Sequence, residues 1–257
     1  MDSGKLEVMT DVQFYYIRHG QSENNLLWQR TGSSKGRVAD PGLTEVGQQQ
    51  ADVLAQFLSD SDPARAAKEW DSQNLAGFGL THLYSSLMVR AVATGTVVAE
   101  ALGLPLVAWE DTHEAGGIYR RDEETDERIG LGGNSRAFFE THYPGLVLPE
   151  WLGEAGWWNR PHEAHEERPV RARRFLQELL ERHGGTEDRV ALVSHGGFYN
   201  YVLSELFRVP ELRRVWFTLN NAAITRIDFW DGGEDGGERV DVVYMNRVDY
   251  LPAELVT

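Results

Sequence analysis

The chain has 257 residues, of which 25 are lysine or arginine and 40 are aspartate or glutamate, for a formal net charge of −15. This acidic balance argues against nucleic acid and anionic membranes as partners, because both bind basic surfaces. The chain contains no cysteine, which excludes disulfides, thiolate nucleophiles and cysteine-based zinc sites.

The first predicted strand runs directly into a polar tripeptide. Residues 12–17 are mostly β-branched or aromatic, a composition typical of a buried strand, and the run ends at Arg18-His19-Gly20. Farther along, Thr44 is a suitable N-cap for a helix whose apolar positions follow helical spacing. The chain therefore begins as a strand, a polar loop and a helix.

The same order is then repeated. Residues 80–84 predict a second strand, and Ser85-Ser86 is a suitable start for the helix after it. The apolar stripe of this helix ends at Gly103, because glycine commonly follows the last helical turn. Residues 106–109 predict a third strand.

Regular periodicity is lost over about 115–165 and returns after it. In this segment glycines, charged residues and aromatic residues follow one another without a strand or helix period. A helix is then predicted over about 167–183. A strand over 190–193 follows, runs into Ser194-His195-Gly196 and leads to a helix that ends at about Phe207.

The last predicted elements are two strands, over 222–230 and 239–245, which flank a glycine-rich turn at 231–237 and predict a hairpin. Strands that alternate with helices indicate an α/β fold, a three-layer α/β/α sandwich with a mostly parallel central sheet. We expect a single domain over 1–257, with 115–165 as an inserted cap.

Three polar segments follow predicted strands directly. They are Arg18-His19-Gly20, Ser85-Ser86 and Ser194-His195-Gly196. Ligands of open parallel sheets bind beyond the carboxyl ends of the strands. We therefore expect the three segments to meet at one edge of the sheet.

Four motifs occur in a fixed order along the chain. They are Arg18-His19-Gly20, Leu43-Thr44-Glu45-Val46-Gly47, the segment from Tyr84 to Ala91, and the segment from Leu192 to Gly197. Together they resemble the histidine phosphatase superfamily, in its phosphoglycerate-mutase-like branch. The resemblance covers residues 12–110 and 167–230 and implies the phosphoglycerate-mutase-like fold and phosphoryl-transfer chemistry.

The resemblance also implies roles for individual residues. In that family the histidine of Arg-His-Gly accepts the phosphoryl group, which makes His19 the nucleophile of a phosphohistidine intermediate. Arg18 and Arg90 correspond to the arginines that bind the phosphate. His195 corresponds to the second histidine of the site, and Asn25 to an asparagine that contacts the phosphate.

Elementary chemistry agrees with these roles. A neutral imidazole suits attack on a phosphate dianion, because it carries no negative charge to be repelled. Two arginines offer planar, permanently charged donors for phosphate oxygens, and a protonated His195 is expected to add a third cation. These groups take over the charge neutralisation that Mg²⁺ supplies elsewhere, so we expect no metal ligands and no cofactor.

The leaving group needs a proton donor, and hydrolysis of the phosphoenzyme needs an activated water. The family places one carboxylic acid for both tasks in the loop that follows the third strand. Glu114 stands at that place, and Glu110 and Asp111 are the alternatives. The neighbouring His113 is expected to be a neutral surface residue, with tuning of the acid as the other interpretation.

Mutases of this branch usually follow the acid with an Arg-His-Tyr-Gly type segment. Here residues 115–121 read Ala-Gly-Gly-Ile-Tyr-Arg-Arg, and this departure favours hydrolysis over mutase chemistry. Arg120 and Arg121 either bind an anionic part of the substrate or form a solvated pair. The aromatic residues of the insertion are expected to form a small core, with shaping of the leaving-group pocket as the alternative role, compatible with the first.

His162, Glu163, His165 and Glu166 follow Pro161 and have the residue types of metal ligands. Their spacing matches no defined metal motif, so we interpret them as a solvated, acidic helix start. His82, His142 and His183 are assigned to structure.

The function predicted is that of a metal-independent phosphatase for a small phosphorylated metabolite, such as a sugar phosphate or a phosphoacid. Phosphoglycerate-mutase-type transfer and a non-catalytic phosphate-binding module are the alternatives. The expected partner is a small phosphate ester, with neither nucleic acid nor membrane, and the sequence is compatible with a homodimer. No apolar run approaches the roughly 20 residues of a membrane span, and no secretory signal is seen, so a cytoplasmic location is expected.

Overall fold

The computed structural model describes residues 12–62, 71–122, 124–209, 215–230 and 239–257. Its strands are β1 Val12–Arg18, β2 His82–Ser85, β3 Leu106–Ala108, β4 Tyr119–Arg121, β5 Arg128–Gly130, β6 Leu146–Val147, β7 Arg189–Ser194, β8 Ile224–Trp230 and β9 Arg239–Arg247. Seven of them form the central sheet, in the order β6-β3-β2-β7-β1-β8-β9. The other two, β4 and β5, form a small antiparallel pair.

The helices in the same ranges flank this sheet. They are α1 Glu23–Thr31, α2 Glu45–Ser59, α3 Val89–Leu102, α4 Arg136–His142, α5 Glu167–His183 and α6 Gly196–Phe207. Among the described residues, none of the helices combines the length and the apolar character needed to cross a bilayer.

The central sheet is mostly parallel, as the sequence predicts. Strands β6, β3, β2, β7 and β1 run in one direction, and β8 pairs antiparallel with β1. Strand β7 lies between β2 and β1, with Arg18 opposite Ser194 at its end. The carboxyl ends of these three strands therefore lie side by side.

Alternate residues of β1 pack on the two faces of the sheet, because successive side chains of a strand point to opposite sides. Tyr15 and Ile17 belong to the hydrophobic cluster that includes buried residues of α2 and α3. Phe14 and Tyr16 belong to the cluster that includes α5 and α6. Both faces are covered, which confirms the three-layer α/β/α architecture.

Most predicted element boundaries agree with the structure. Thr44 caps α2, with its Oγ1 accepting a hydrogen bond from the Gly47 amide at 3.0 Å. Gly103 ends α3 in the left-handed conformation, with a φ of 65°. The hairpin strands β8 and β9 are antiparallel, whereas the predicted turn at 231–237 lies outside the described residues.

Two boundaries differ from the prediction. Helix α1 was not predicted from the hydrophobic pattern, because none of its side chains is buried. Its N-terminus is fixed by a capping box between Ser22 and Asn25. Helix α3 begins at Val89, three residues after Ser86, whose hydroxyl contacts His195 and accepts a hydrogen bond from the Met88 amide at 3.3 Å.

Two motif glycines are explained by one close contact. A Cβ on Gly20 would lie 2.4 Å from the Gly47 carbonyl oxygen, and a Cβ on Gly47 would lie 2.0 Å from the Gln21 carbonyl oxygen. Any larger side chain would force the two backbone segments apart. These glycines let the loop after β1 lie directly on the first turn of α2.

The insertion packs on the body of the fold. Its strand β6 extends the edge of the central sheet beside β3. Phe139, Trp157 and Trp158 are buried in the same hydrophobic cluster as α2 and α3, which confirms the expected small core. Trp151 is exposed and takes no part in it.

Candidate active site

The three polar segments meet at the carboxyl edge of the sheet, as predicted. The His19 amide donates to the Ser194 carbonyl at 3.0 Å, and the Ser86 amide donates to the Val193 carbonyl at 3.2 Å. These backbone bonds bring the two site histidines together, with their ring centroids 5.0 Å apart.

His19 is held as one defined tautomer. Its Nδ1 lies 2.6 Å from the Gly20 carbonyl oxygen, which can only accept, so the proton is on Nδ1. The free Nε2 accepts a hydrogen bond from Arg90 Nε at 3.0 Å. Burial, and then the charges of Arg90 and Arg18, hold the His19 pKa well below its usual value. The imidazole is therefore neutral at neutral pH, with a lone pair on Nε2.

The backbone of His19 is fixed by a residue that sequence reasoning missed. The amide nitrogen of Asn221 donates to the His19 carbonyl at 3.0 Å and to Asn25 Oδ1 at 3.2 Å. Asn25 Oδ1 also accepts from the Ser22 amide and hydroxyl. The side-chain oxygen of Asn25 thus holds the local backbone in place. Its amide nitrogen makes no hydrogen bond within the described ranges and is the atom available for the predicted phosphate contact.

Arg90 has an acidic partner that the sequence did not reveal. Asp40 Oδ1 lies 3.7 Å from Arg90 Nη1 and accepts a hydrogen bond from the Val89 amide at 3.1 Å. Asn134 donates to the other carboxylate oxygen at 3.1 Å. Burial raises the pKa of Asp40 to about 6, with the Arg90 charge opposing the shift.

Arg18 lies beside the N-terminus of α6. Its guanidinium is the nearest group to a Cβ placed on Gly196, and Nη1 donates to the Leu219 carbonyl at 2.5 Å. Burial lowers the pKa of Arg18 to about 10, so the side chain is still charged at neutral pH. The buried Nε has no hydrogen-bond partner among the described residues, and a buried donor of this kind is costly to leave unpaired.

His195 differs from the expectation in its charge. The residue is fully buried, and burial followed by the charge of Arg90 holds its pKa well below the usual value. The expected protonated imidazole is therefore a neutral one at neutral pH. Its Nε2 lies 2.6 Å from Ser86 Oγ, while Nδ1 has no partner within the described part of the chain.

Glu114 places its carboxylate on the first turn of α6. It accepts hydrogen bonds from the amides of Ala115 at 2.7 Å, Phe198 at 3.0 Å and Gly197 at 3.2 Å. The N-terminus of a helix favours negative charge. The charge of Glu114 also raises the pKa of Arg18, against the effect of burial.

The two alternative acids point elsewhere. Glu110 Oε1 pairs with Arg160 Nη2 at 3.3 Å. Asp111 forms a two-pronged pair with Arg174, with contacts of 2.5 and 2.6 Å. Of the three candidate carboxylates, Glu114 is the one whose charge acts on Arg18 and Arg90.

His113 is buried, so the expectation of a surface histidine was wrong. Its ring packs edge-on against Trp158, with centroids 4.7 Å apart. The indole rings of the insertion cover it, an effect that the local sequence does not show. Its Nδ1 donates to the Glu114 carbonyl at 2.9 Å, and burial holds its pKa well below the usual value. His113 therefore fixes the backbone of the acid.

Glu163 is also buried, which corrects its assignment to a solvated helix start. Arg171 contacts its two carboxylate oxygens at 2.6 and 3.0 Å, and the Gly116 amide donates to it at 3.0 Å. Arg171 additionally donates to the carbonyls of Asp111 at 2.7 Å and His113 at 3.0 Å. This ion pair anchors the loop that carries Glu114.

Arg120 and Arg121 lie on the exposed strand β4. Arg120 is 3.7 Å from Asp122, and Arg121 pairs with Asp126 while donating to Ser34 Oγ at 3.1 Å. Both guanidinium groups thus have acidic partners. A role in substrate binding stays a prediction.

One group of metal-type ligands is close together within the described ranges, namely His82, His183 and Asp188. His183 Nδ1 is 2.9 Å from Asp188, and its Nε2 is 3.0 Å from the Tyr84 hydroxyl. His82 begins β2 and Asp188 precedes β7, so the group lies at the amino ends of the strands. It is a hydrogen-bonded network at the edge opposite His19.

The site as a whole is suited to a tetrahedral dianion. It combines two guanidinium groups, a neutral imidazole whose unprotonated Nε2 faces Arg90, and buried nitrogens on Arg18 and His195 that have no hydrogen-bond partner among the described residues. A carboxylate stands beside them on a helix N-terminus. These are the parts that phosphoryl transfer through nitrogen requires.

Comparison with known proteins shows the family of the chain. The model of the histidine phosphatase superfamily (branch 1) matches residues 14–239. The chain is 25% identical over 218 residues to the probable phosphoglycerate mutase GpmB of Yersinia pestis, with 85% of each chain covered.

Two solved structures have a similar fold. A mycobacterial glucosyl-3-phosphoglycerate phosphatase in complex with VO3 is 18% identical, with 92% of this chain and 99% of that chain covered and a TM-score of 0.55. A phosphoserine phosphatase from Entamoeba histolytica in complex with 3-phosphoglyceric acid is 20% identical, with coverage of 94% and 100% and a TM-score of 0.55. At these identities the likeness is one of fold.

Proposed function

Because the chain belongs to the histidine phosphatase superfamily, branch 1, we propose that it is a phosphatase that transfers a phosphoryl group from a small phosphate ester to His19 and then to water. The observation that carries the proposal is the unprotonated Nε2 of His19, held against the Arg90 guanidinium at 3.0 Å. A nucleophile and the cation that receives phosphate oxygens are thus in contact.

In the first step His19 Nε2 attacks phosphorus, the new N–P bond forms and the P–O ester bond breaks. Positive charge grows on the imidazole, and the bond from Nδ1–H to the Gly20 carbonyl stabilises it. Arg18 and Arg90 bind the equatorial oxygens of the phosphoryl group. Glu114 must carry a proton in the substrate complex; it gives this proton to the departing oxygen, so the alcohol leaves neutral and Glu114 becomes a carboxylate.

His195 contributes as a neutral donor. If the Ser86 hydroxyl donates to Nε2 over their 2.6 Å contact, the ring proton is on Nδ1, the nitrogen without a partner among the described residues. That N–H is available to a phosphate oxygen. The proposed site then neutralises the phosphoryl charge with two guanidinium groups and N–H donors, without a metal ion.

In the second step water attacks phosphorus, the N–P bond breaks and inorganic phosphate leaves. Glu114 takes the proton from the water, the reverse of its first task. His19 is regenerated as a neutral imidazole. The sum is one ester and one water converted to one alcohol and one phosphate.

Hydrolysis is favoured over the mutase alternative by the segment after Glu114, which lacks the Arg-His-Tyr-Gly pattern. A non-catalytic phosphate-binding module is disfavoured by the fixed tautomer of His19, because binding alone needs no free lone pair there. The cytoplasmic location and the single-domain organisation stay predictions.

The test is trapping of the phosphoenzyme. Wild-type protein quenched during turnover of a ³²P-labelled ester should carry an acid-labile, base-stable label, and His19→Asn should carry none. Turnover should fall at least about 1,000-fold in the variant, as when other enzyme nucleophiles are removed. His142→Asn, on the exposed α4, is the matched control. Undiminished labelling or turnover in His19→Asn would contradict the proposal.

A further inference from the structure

Cationic side chains from separate segments surround the ring of Tyr119 on β4. The Arg37 guanidinium carbon lies 4.0 Å from the ring centroid, and that of Arg128 lies 5.9 Å from it. His162 packs edge-on against the same ring, with centroids 4.7 Å apart and planes at 90°. We refer to these four residues as the Tyr119 cluster. Its members come from the α1–α2 loop, β4, β5 and the segment before α5.

The Tyr119 cluster lies next to the candidate active site. Arg37 Nη1 donates to the Tyr119 carbonyl at 2.8 Å, which joins the α1–α2 loop to the strand that follows Glu114. The Arg37 charge lowers the pKa of Arg90, and the Glu114 charge raises that of Arg37, so these three residues are electrostatic neighbours. Arg37, Tyr119 and His162 are partly buried and Arg128 is exposed, so the cluster reaches the protein surface, whereas Arg90 is buried.

The two arginines of the Tyr119 cluster form no close ion pair with an acid in the described part of the chain, although the charge of Glu114 acts on Arg37 and that of Arg128 acts on Asp126. Neighbouring arginines are matched: Arg120 pairs with Asp122, Arg121 with Asp126, and Arg160 with Glu110. Arg37 and Arg128 form no ion pair in those ranges, although the chain has 40 acidic residues against 25 basic ones.

The two arginines also repel each other. After burial, the Arg128 charge is a cause of the lowered pKa of Arg37. Like charges held about one aromatic ring cost free energy unless an anion is shared between them. A guanidinium can bind a carboxylate or a phosphate through two parallel hydrogen bonds.

We propose that Arg37 and Arg128 bind a second anionic group of the substrate while Arg18 and Arg90 hold the phosphoryl group that is transferred. This inference rests on the proposed function and narrows its substrate class to phosphate monoesters that carry a carboxylate or a further phosphate. The sequence suggested Arg120 and Arg121 for binding an anionic part of the substrate, but both guanidinium groups already have acidic partners. In this proposal Arg37 and Arg128 bind that group instead.

The test compares two substrates that differ by one charge. 3-Phosphoglycerate carries a carboxylate where glycerol 3-phosphate carries a neutral hydroxymethyl group, and both release an alkyl oxygen. The wild-type protein should prefer 3-phosphoglycerate in kcat/KM for phosphate release. In Arg37→Gln and in Arg128→Gln that preference should fall at least about tenfold, the loss expected for one charge-assisted contact.

Arg173→Gln is the matched control, because this exposed arginine of α5 pairs with Glu205 and its loss changes the net charge equally. It should retain the wild-type preference within about twofold. A wild-type ratio near one, or a ratio that neither Arg37→Gln nor Arg128→Gln changes, would overturn the subsite.

A binding measurement tests the subsite independently of the proposed phosphatase activity. Calorimetric titration of both compounds into His19→Asn repeats the comparison without turnover. A preference for 3-phosphoglycerate that depends on Arg37 supports the subsite even if no phosphoenzyme forms. Equal binding of the two compounds contradicts it even if labelling of His19 succeeds.

Discussion

Arg90 Nε and His19 Nε2 are 3.0 Å apart and share a hydrogen bond that the arginine donates. The same guanidinium lies 3.7 Å from Asp40. Arg90 therefore joins the proposed nucleophile to a buried carboxylate, and its position depends on both. A phosphate oxygen that enters between Arg90 and His19 would exchange one hydrogen bond for stronger, charge-assisted ones.

Replacement of Arg90 by lysine should reduce kcat/KM for any phosphate ester by about 100-fold or more. Lysine keeps the charge but loses the planar fork that contacts two oxygens and the Nε that faces His19. Steady-state kinetics measure the effect, and Arg239→Lys, at an exposed pair with Asp241, serves as control. A loss below about fivefold would show that Arg90 does not bind the transferring group.

Glu114→Gln should slow substrates in proportion to their need for a proton. We expect kcat/KM to fall about 100-fold or more for an alkyl phosphate, because a general acid contributes at least that factor. For p-nitrophenyl phosphate the loss should be much smaller, since p-nitrophenolate leaves without protonation. Glu110→Gln is the control. Equal losses on both substrates would reassign the acid to Glu110 or Asp111.

Gly197→Ala should reproduce the effect of Glu114→Gln without removing the carboxylate. A Cβ at position 197 would lie 2.2 Å from Glu114 Oε1, so the carboxylate must move from its place on α6. At position 196 the nearest atom to a new Cβ is Arg18 Nε at 3.6 Å, an ordinary contact. The ratio of alkyl phosphate turnover to p-nitrophenyl phosphate turnover should therefore be higher in Gly196→Ala than in Gly197→Ala. A lower ratio in Gly196→Ala would contradict the assigned position of the acid.

Asp40→Asn should change how stability depends on pH. The pKa of Asp40 is raised from its ordinary 3.8 to about 6, so between these values the folded chain binds a proton that the unfolded chain has released. The contribution of this proton is present below about pH 4 and is lost as pH rises through about 6. The free energy of unfolding of the wild type, relative to Asp40→Asn, should therefore fall by about 2 kcal/mol from pH 4 to pH 7.

Urea unfolding of both proteins at several pH values measures this difference. Arg90 keeps its charge throughout this range, so its own titration does not contribute. If the difference in the free energy of unfolding between the two proteins stays constant from pH 4 to pH 7, the pKa of Asp40 is not raised in the folded protein.

Glu163→Gln should destabilise the fold by about 3 kcal/mol or more, because it leaves Arg171 charged and buried without its partner. Glu166→Gln, on an exposed side chain three residues later, should change the free energy of unfolding by less than about 0.5 kcal/mol. Urea unfolding gives both values. Similar values for the two variants would contradict the anchoring role of Glu163.

Much of the fold and the principal site residues followed from local patterns. Strand composition placed Arg18-His19-Gly20 and Ser194-His195-Gly196 after strands, and the rule for parallel sheets brought them to one edge. Arg90 was found through its motif, and Glu114 through its place in the chain. The strand ends were predicted from a few residues each, whereas the roles of Arg90 and Glu114 come from the family resemblance and stay predictions.

The residues that were missed depend on distant contacts. Asp40, Asn221 and Arg37 lie in loops, where a polar residue is ordinarily solvated, and only the tertiary structure brings them to Arg90, His19 and Tyr119. The errors have the same origin. His113 and Glu163 have polar neighbours in sequence, but Trp158 and Arg171 bury them.

The charge of His195 was also beyond local reasoning. Its surroundings of Arg90, Arg18 and His19 disfavour a further proton, and burial removes the water that would stabilise one. The residue types at the site were predictable, whereas their protonation depends on the summed field of groups far apart in sequence.

The position of β1 between β7 and β8 has a consequence for biosynthesis. Tyr16 bonds to Ser194, 178 positions later in the chain, so the first strand emerges from the ribosome long before either neighbour exists. A nascent chain must keep this apolar segment unpaired through most of translation, a situation that invites chaperone binding. The two site histidines can lie side by side only after β7 has been made and has paired with β1.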